Sequence, residues 1–216
     1  EAYCDSLVAK AAGAKQLGFR AAKMEVCVKG PYSHNGLQES DQWIIDIVAA
    51  CREAVGADFI MMVDVCYCWS DAKEALRVLR RLEPYDPFFL ETPLPLDDLD
   101  GYAFLHDRSP IRIAAGELQN TRFEFLDLMD RGKVDVAQPD VGRVGGLTEA
   151  RRVVDMAADR GRLIVPHCWK TGIGIAASAH LSAAAAHCPF IEFLPAPLSE
   201  SPLRRGPGEW SAASAN

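Results

Sequence analysis

Six polar residues recur along the chain at a nearly constant interval, each at the end of a short apolar run: Asp64, Glu91, Glu117, Asp140, His167 and Glu192. The gaps of 27, 26, 23, 27 and 25 residues are each about one strand plus one returning helix with their loops. Parallel neighbours need a crossover of about that length, so the rhythm points to a parallel α/β sheet. If the strands close into a barrel, all six groups converge on the face where such barrels keep their chemistry.

The residues between these positions fit that plan. Asp5 is placed to cap a helix over Ser6 to Gln16, with Gly18 as its stop. A strand follows over Phe19 to Val28. Lys29 to Ser40 is a long Gly/Pro/Ser/Asn-containing loop, a candidate lid or substrate contact. The next units are a helix from Asp41 with strand Phe59 to Val65, a helix from Asp71 behind Ser70 with strand Pro87 to Glu91, and a helix Leu99 to His106 with strand Ile111 to Ala115. They continue with a helix from Arg122 behind Thr121 and strand Val134 to Gln138, helix Leu147 to Arg160 and strand Arg162 to Val165, and helix Ile173 to Ala186 with strand Phe190 to Leu194. Seven strands thus alternate with helices. The strands are almost unbroken apolar runs (FIMMVDV, FFLET, IRIAAGE), as expected where helices cover the sheet.

Composition narrows the function. One domain is expected of 216 residues, 49% of them hydrophobic and 25% charged. A net charge of -7 argues against a nucleic-acid partner, which needs a basic face, and favours a small-molecule enzyme. No run of 18 apolar residues and no basic-then-apolar leader pattern occurs, so neither a membrane span nor export is indicated. Seven cysteines, an odd number, favour reduced thiols in a cytoplasmic protein. Cys66, Cys68 and Cys168, two of them near proposed strand ends, are candidates for a metal site but lack the CxxC spacing of thiolate sites.

Three carboxylates on adjacent strand ends repel one another unless a cation intervenes. Asp64, Glu91 and Glu117 form an all-oxygen donor set, suited to magnesium, with manganese as the alternative, rather than zinc. The competing reading is that each acid pairs with a nearby Lys or Arg or caps the following helix. Asp140 and His167 sit on consecutive strands, so the carboxylate can hold one imidazole nitrogen while the other faces the pocket, as in a general base. Lys23 and Glu25 are two apart on the first strand and share a face, offering either a cation with a second acid or a simple ion pair. His34, His106, His180 and His187 are read as structural. Gly142, Gly145 and Gly146 are read as a tight turn before a helix, since the lysine of a phosphate loop is lacking. Trp169 and Lys170 follow His167 and are candidates to line the pocket.

Seven segments carry a family resemblance: AAKMEV at Lys23, MMVDV at Asp64, FLETPLP at Glu91, AAGE at Glu117, QPDVGRVGGLTEA at Asp140, VPHCW at His167 and IEFLP at Glu192. In this order and spacing they resemble the C-terminal barrel domain of the enolase superfamily, in its mandelate racemase/muconate lactonizing enzyme family. The resemblance implies a TIM-type (β/α) barrel over residues 1–205. It implies magnesium on Asp64, Glu91 and Glu117, a catalytic dyad of Asp140 and His167, and Glu192 hydrogen-bonded to a substrate carboxylate. It also implies a small-molecule carboxylate substrate, abstraction of its α-proton to give an enediolate, and assembly into homo-oligomers.

Two departures shape the expectation. Many relatives carry Lys-x-Lys where this chain reads Lys23-Met24-Glu25, and glutamate, with a reference pKa of about 4.3, is a far weaker base than lysine. Racemisation between two opposed bases is thereby disfavoured relative to elimination through His167, so the leading expectation is a lyase that dehydrates a sugar acid or related hydroxy acid. Epimerisation, racemisation or cycloisomerisation is the alternative. Second, the sequence reads as an incomplete barrel without the first strand or the N-terminal α+β capping domain, and residues 206–216 read as a disordered tail. That leaves a third reading, a non-catalytic metal-binding barrel.

Overall fold

The computed structural model describes residues 2–169 and 171–193. Six parallel strands form one sheet whose spatial order is the chain order: β1 (Ala21–Glu25), β2 (Ile60–Asp64), β3 (Pro87–Glu91), β4 (Arg112–Ala115), β5 (Val136–Ala137) and β6 (Leu163–Ile164). The helices are α1 (Ala2–Gln16), α2 (Asp41–Val55), α3 (Ala72–Leu82), α4 (Leu99–His106), α5 (Arg122–Asp130), α6 (Leu147–Asp159) and α7 (Gly172–Ala183). This is the strand–helix alternation of a TIM-type α/β barrel.

Most boundaries follow local chemistry. Asp71 caps α3 by accepting from the Lys73 N–H, and Thr121 and Thr171 cap α5 and α7 in the same way. Arg52 ties the end of α2 to the entries of two strands, donating to the carbonyls of Gly56, Phe59, Tyr85 and Asp86. Two expectations are corrected. Asp5 lies inside α1 rather than at its cap, because the helix already begins at Ala2. The anticipated seventh strand forms no ladder over 190–193: the Ile164 N–H instead bonds the His187 carbonyl, and the Phe190 and Phe193 rings pack on Phe88 and Phe19. Leu194 and the anticipated tail at 206–216 lie outside the described residues.

Strand alternation divides the core. Outward residues such as Met24, Val63, Leu90, Ile113, Ala137 and Ile164 join the large cluster beneath the helices. Inward residues Met62, Phe89, Ala114, Val136 and Val165 form a smaller cluster on the concave face, with Phe88 and Phe190 against it. Continuing the inward parity by two residues from Met62, Phe89, Val136 and Val165 leads to Asp64, Glu91, Gln138 and His167. The apolar interior therefore serves as the floor of a polar site.

Candidate active site

Register brings the site together. Glu25 pairs with Asp64 across β1 and β2, and Asp64 pairs with Glu91 across β2 and β3, so three acids stand side by side on neighbouring strand ends. Glu117 follows β4 after Gly116, whose φ is +135° and where a Cβ would lie 2.7 Å from Phe125 and 3.0 Å from the Gln138 nitrogen. Only glycine fits there, and it lets the chain turn Glu117 inward. Asp140 and His167 follow β5 and β6. The Gly142–Gly146 segment is the anticipated turn, with Gly145 and Gly146 both at positive φ before α6.

His167 is buried between two carboxylates. Its Nδ1 lies 2.8 Å from Asp140 Oδ2 and its Nε2 lies 3.0 Å from Glu117 Oε2. A carboxylate only accepts, so both ring nitrogens donate and the ring is an imidazolium. Burial works against that charge, but the hydrogen bonds to Asp140 and Glu117 outweigh it and push the His167 pKa up to about 9. Glu117 moves the opposite way: burial raises it, yet His167 and the Tyr67 hydroxyl, which donates at 2.9 Å, hold it below the usual range.

Lys23 organises the other half. Its Nζ donates to both oxygens of Glu91 at 2.8 Å and pairs with Glu192 at 2.6 Å. Burial disfavours the ammonium, but Glu91 and Glu192 outweigh it and raise its pKa. Glu91 is fully buried, also accepts from Gln138 at 2.7 Å, and is pushed up to about 8 chiefly by burial, against the lowering effect of Lys23. Asp64, likewise buried and raised by burial, accepts from the Thr92 hydroxyl at 2.6 Å and the Cys66 N–H at 2.9 Å. Glu192 accepts from the Cys168 N–H at 2.8 Å. Glu25 is raised by burial and by the neighbouring Asp64 charge.

A cavity of about 470 Å³ opens beside β1, with Lys23, Glu25, Asp64 and Glu192 in its wall above Met62, Phe89, Val165 and Phe190. Trp169 lines it as anticipated, whereas Lys170 lies outside the described residues. His167, Asp140, Glu91 and Glu117 are not in its lining: Glu117 stands over the imidazole Nε2. Lys23 and Glu25 share a face but not an ion-pair contact, since the Lys23 ammonium is engaged by Glu91 and Glu192.

Asp64, Glu91 and Glu117 are oxygen donors of the type a hard divalent cation takes, although their ligand atoms do not all lie within 4.8 Å of one another. Among the described residues, two cationic side chains, Lys23 and His167, stand among six carboxylates, Glu25, Asp64, Glu91, Glu117, Asp140 and Glu192. Burial, joined by repulsion from neighbouring carboxylates, raises Asp64 and Glu91, the behaviour of acids whose charge is under-compensated. Asp64, Glu91 and Glu117 would hold such a cation through oxygen.

Cysteine chemistry departs from expectation. Cys27 and Cys66 are joined in a disulfide, so the seven thiols are not all reduced. The cause is register: Glu25 pairs with Asp64, and two residues further on Cys27 meets Cys66. Among the described residues, the group of three ligand-type side chains with atoms mutually within 4.8 Å is Glu25, Cys27 and Cys66, so Cys66, Cys68 and Cys168 do not form a thiolate site. His106 lies 2.9 Å from Asp135, and His187 contacts the Val154 carbonyl at 3.1 Å, consistent with structural roles. His34 stacks on Tyr3 with ring centroids 4.7 Å apart.

Sequence reasoning missed Tyr67, Thr92 and Gln138, each of which bonds a proposed metal ligand. Gln138 was within reach, since it lies two residues before Asp140 on the same strand parity. Thr92 follows Glu91 but sits at φ +48°, a local reversal that alternation does not anticipate.

Comparison with known proteins agrees with this architecture. The family model described as "Enolase C-terminal domain-like" matches residues 6–209. An L-rhamnonate dehydratase of Saccharopolyspora erythraea is 33% identical over 196 residues, covering 90% of this chain and 48% of that protein. A D-galactarolactone cycloisomerase of Agrobacterium fabrum is 32% identical over 167 residues, covering 77% and 41%. The crystal structure of the 3,6-anhydro-D-galactonate cycloisomerase from Zobellia galactanivorans superimposes with a TM-score of 0.80 at 32% identity, covering 90% of this chain and 52% of that one. The chain thus spans about half or less of the length of these relatives. No helix among the described residues is long and apolar enough to cross a membrane.

Proposed function

The chain belongs to the enolase C-terminal domain-like family, and from that premise we propose that it carries the metal-binding and acid/base centre of a magnesium-dependent enzyme acting on a small carboxylate. The leading reading is dehydration of a sugar acid or related hydroxy acid by a cytoplasmic, homo-oligomeric lyase. The observation that carries it is the placement of His167 between Asp140 and Glu117 on successive strand ends.

Asp64, Glu91 and Glu117 would hold the magnesium, or manganese in its place. Bound there, the ion supplies Lewis-acid stabilisation of the charge that gathers on the substrate carboxylate as its α-proton leaves. As a ligand, Glu117 would share its negative charge with the cation and hold the Nε2 proton of His167 less strongly. Asp140 still accepts from Nδ1, which fixes the tautomer and leaves Nε2 free to take the α-proton. His167 then holds that proton as an imidazolium. It can return the proton to the departing β-hydroxyl, which leaves as water, so one residue serves both halves of a syn elimination. Lys23 keeps a positive charge beside the substrate carboxylate, and Glu192, paired with it, holds the ammonium in place. Glu25, raised by burial, stands at the other side of the cavity as a second acid.

Epimerisation, racemisation or cycloisomerisation is the second reading, favoured by the likeness to two proteins named as cycloisomerases. Incubation with magnesium and a panel of acid sugars separates the two. Formation of 2-keto-3-deoxy acids supports dehydration, whereas exchange of the α-hydrogen with deuterium oxide without any keto acid rules it out. Magnesium-induced stabilisation with neither product nor exchange would favour a non-catalytic metal-binding barrel.

A further inference from the structure

We propose that Cys27 and Cys66 are a reversible thiol oxidation site on the catalytic face, whose disulfide clamps the turn after β2 to the end of β1. Cys27 belongs to a firmly held segment. Its N–H donates to the Tyr3 hydroxyl at 3.3 Å, that hydroxyl donates to the Glu25 carbonyl at 2.6 Å, and the Cys27 carbonyl accepts from the His34 N–H at 2.8 Å. Cys66 belongs to a turn that L-residues disfavour: Cys66 and Tyr67 are consecutive left-handed residues, with φ of +51° and +60°. Two hydrogen bonds from the turn back to the β3 exit support it, Tyr67 N–H to Thr92 at 2.6 Å and Trp69 N–H to Pro93 at 3.1 Å. The disulfide supplies the tie on the opposite side.

The turn matters because it presents two groups to the site. The Cys66 N–H reaches Asp64 and the Tyr67 hydroxyl reaches Glu117, both at 2.9 Å. Opening the bond therefore releases one tie on the segment that orients two of the six carboxylates of the site. Cys66 is partly exposed while Cys27 is fully buried, so exchange begins at Cys66. In the forming direction the Cys66 thiolate attacks an oxidant of the low-molecular-weight disulfide class and releases one thiol. The Cys27 thiolate then displaces the second thiol from the mixed disulfide, so the pair loses two electrons and two protons and the oxidant gains them. Cys68, two residues along, is buried and its thiol is pushed up to about 12 by that burial, so it is a poor competitor. Reversibility also reconciles the bond with a reducing compartment, where disulfides are characteristically transient.

The test equilibrates the 216-residue chain in oxidised or reduced glutathione, traps free thiols, and reads peptide masses and amide hydrogen exchange. A Cys27–Cys66 linked peptide should appear with the oxidised form and disappear with the reduced form. Exchange of the Cys66 and Tyr67 amides should become about tenfold faster on reduction, equivalent to about 1.4 kcal/mol in opening free energy. Cys66→Ser should show the fast exchange in both buffers, whereas Cys188→Ser should keep the response. Absence of the linked peptide overturns the site, and exchange unchanged by reduction in the wild-type chain overturns the clamp. Neither readout requires turnover or metal, so failure here is distinct from failure of the proposed reaction.

Discussion

The two-sided grip on His167 predicts a specific dependence of stability on pH in chelator-treated protein. The imidazole pKa rises from its ordinary 6.5 to about 9 because Asp140 and Glu117 both accept from it against the cost of burial. A group raised on folding stabilises fully below its unfolded pKa and loses that contribution as pH climbs through the folded value. The window is therefore about pH 6.5 to 9, with the loss running upward. At about 1.4 kcal/mol for each tenfold change in proton affinity, the contribution at stake is about 3 kcal/mol. The assay is urea unfolding at pH 6, 7.5 and 9.5 for wild type and His167→Asn, whose side chain does not titrate in this range. The wild-type advantage should shrink by about 3 kcal/mol across the series. Parallel pH curves for the two proteins would refute the imidazolium assignment. Magnesium should shift the window downward, because a cation on Glu117 would offset the carboxylate charge that helps hold the imidazolium proton.

Other consequences are as direct. Asp140→Asn should lower the His167 pKa from about 9, read by NMR of the ring, and abolish α-proton exchange while preserving metal binding. Magnesium should stabilise the wild-type chain against heat, by about 2.7 kcal/mol at a hundredfold excess over Kd, and Glu91→Gln should diminish that gain in a thermal-shift titration. Gly116→Ala should destabilise by about 3 kcal/mol, since the new Cβ meets Phe125 and the Gln138 nitrogen in a backbone region closed to alanine; urea titration measures it. Arg52→Ala should cost about 2 kcal/mol in the same assay, because four carbonyls at the lower ends of two strands lose a charged donor.

Much of the architecture was legible because strand alternation and helix caps are local. Helices α2, α4 and α5 begin at the expected Asp41, Leu99 and Arg122, the last behind its Thr121 cap, and β3 matches its apolar run residue for residue. The misses have physical causes. Residues 190–193 have strand composition, but the β6 edge at Ile164 is bonded by the chain leaving α7. Asp5 is a good cap residue overridden by a helix that starts earlier, with Leu7 and Ala11 buried against the core.

By itself, the sequence determined the parallel α/β plan, the order of the six polar positions and the strands before the first five, because period and parity depend on neighbours along the chain; the strand it placed at Glu192 does not form over 190–193. Which groups touch was decided in three dimensions. Glu117 holds His167 rather than standing apart as a lone acid, Lys23 bridges Glu91 and Glu192 rather than Glu25, and Cys27 meets Cys66. Those pairings depend on interstrand register and on turns such as that at Cys66 and Tyr67, where positive φ breaks the alternation from which one-dimensional reasoning works.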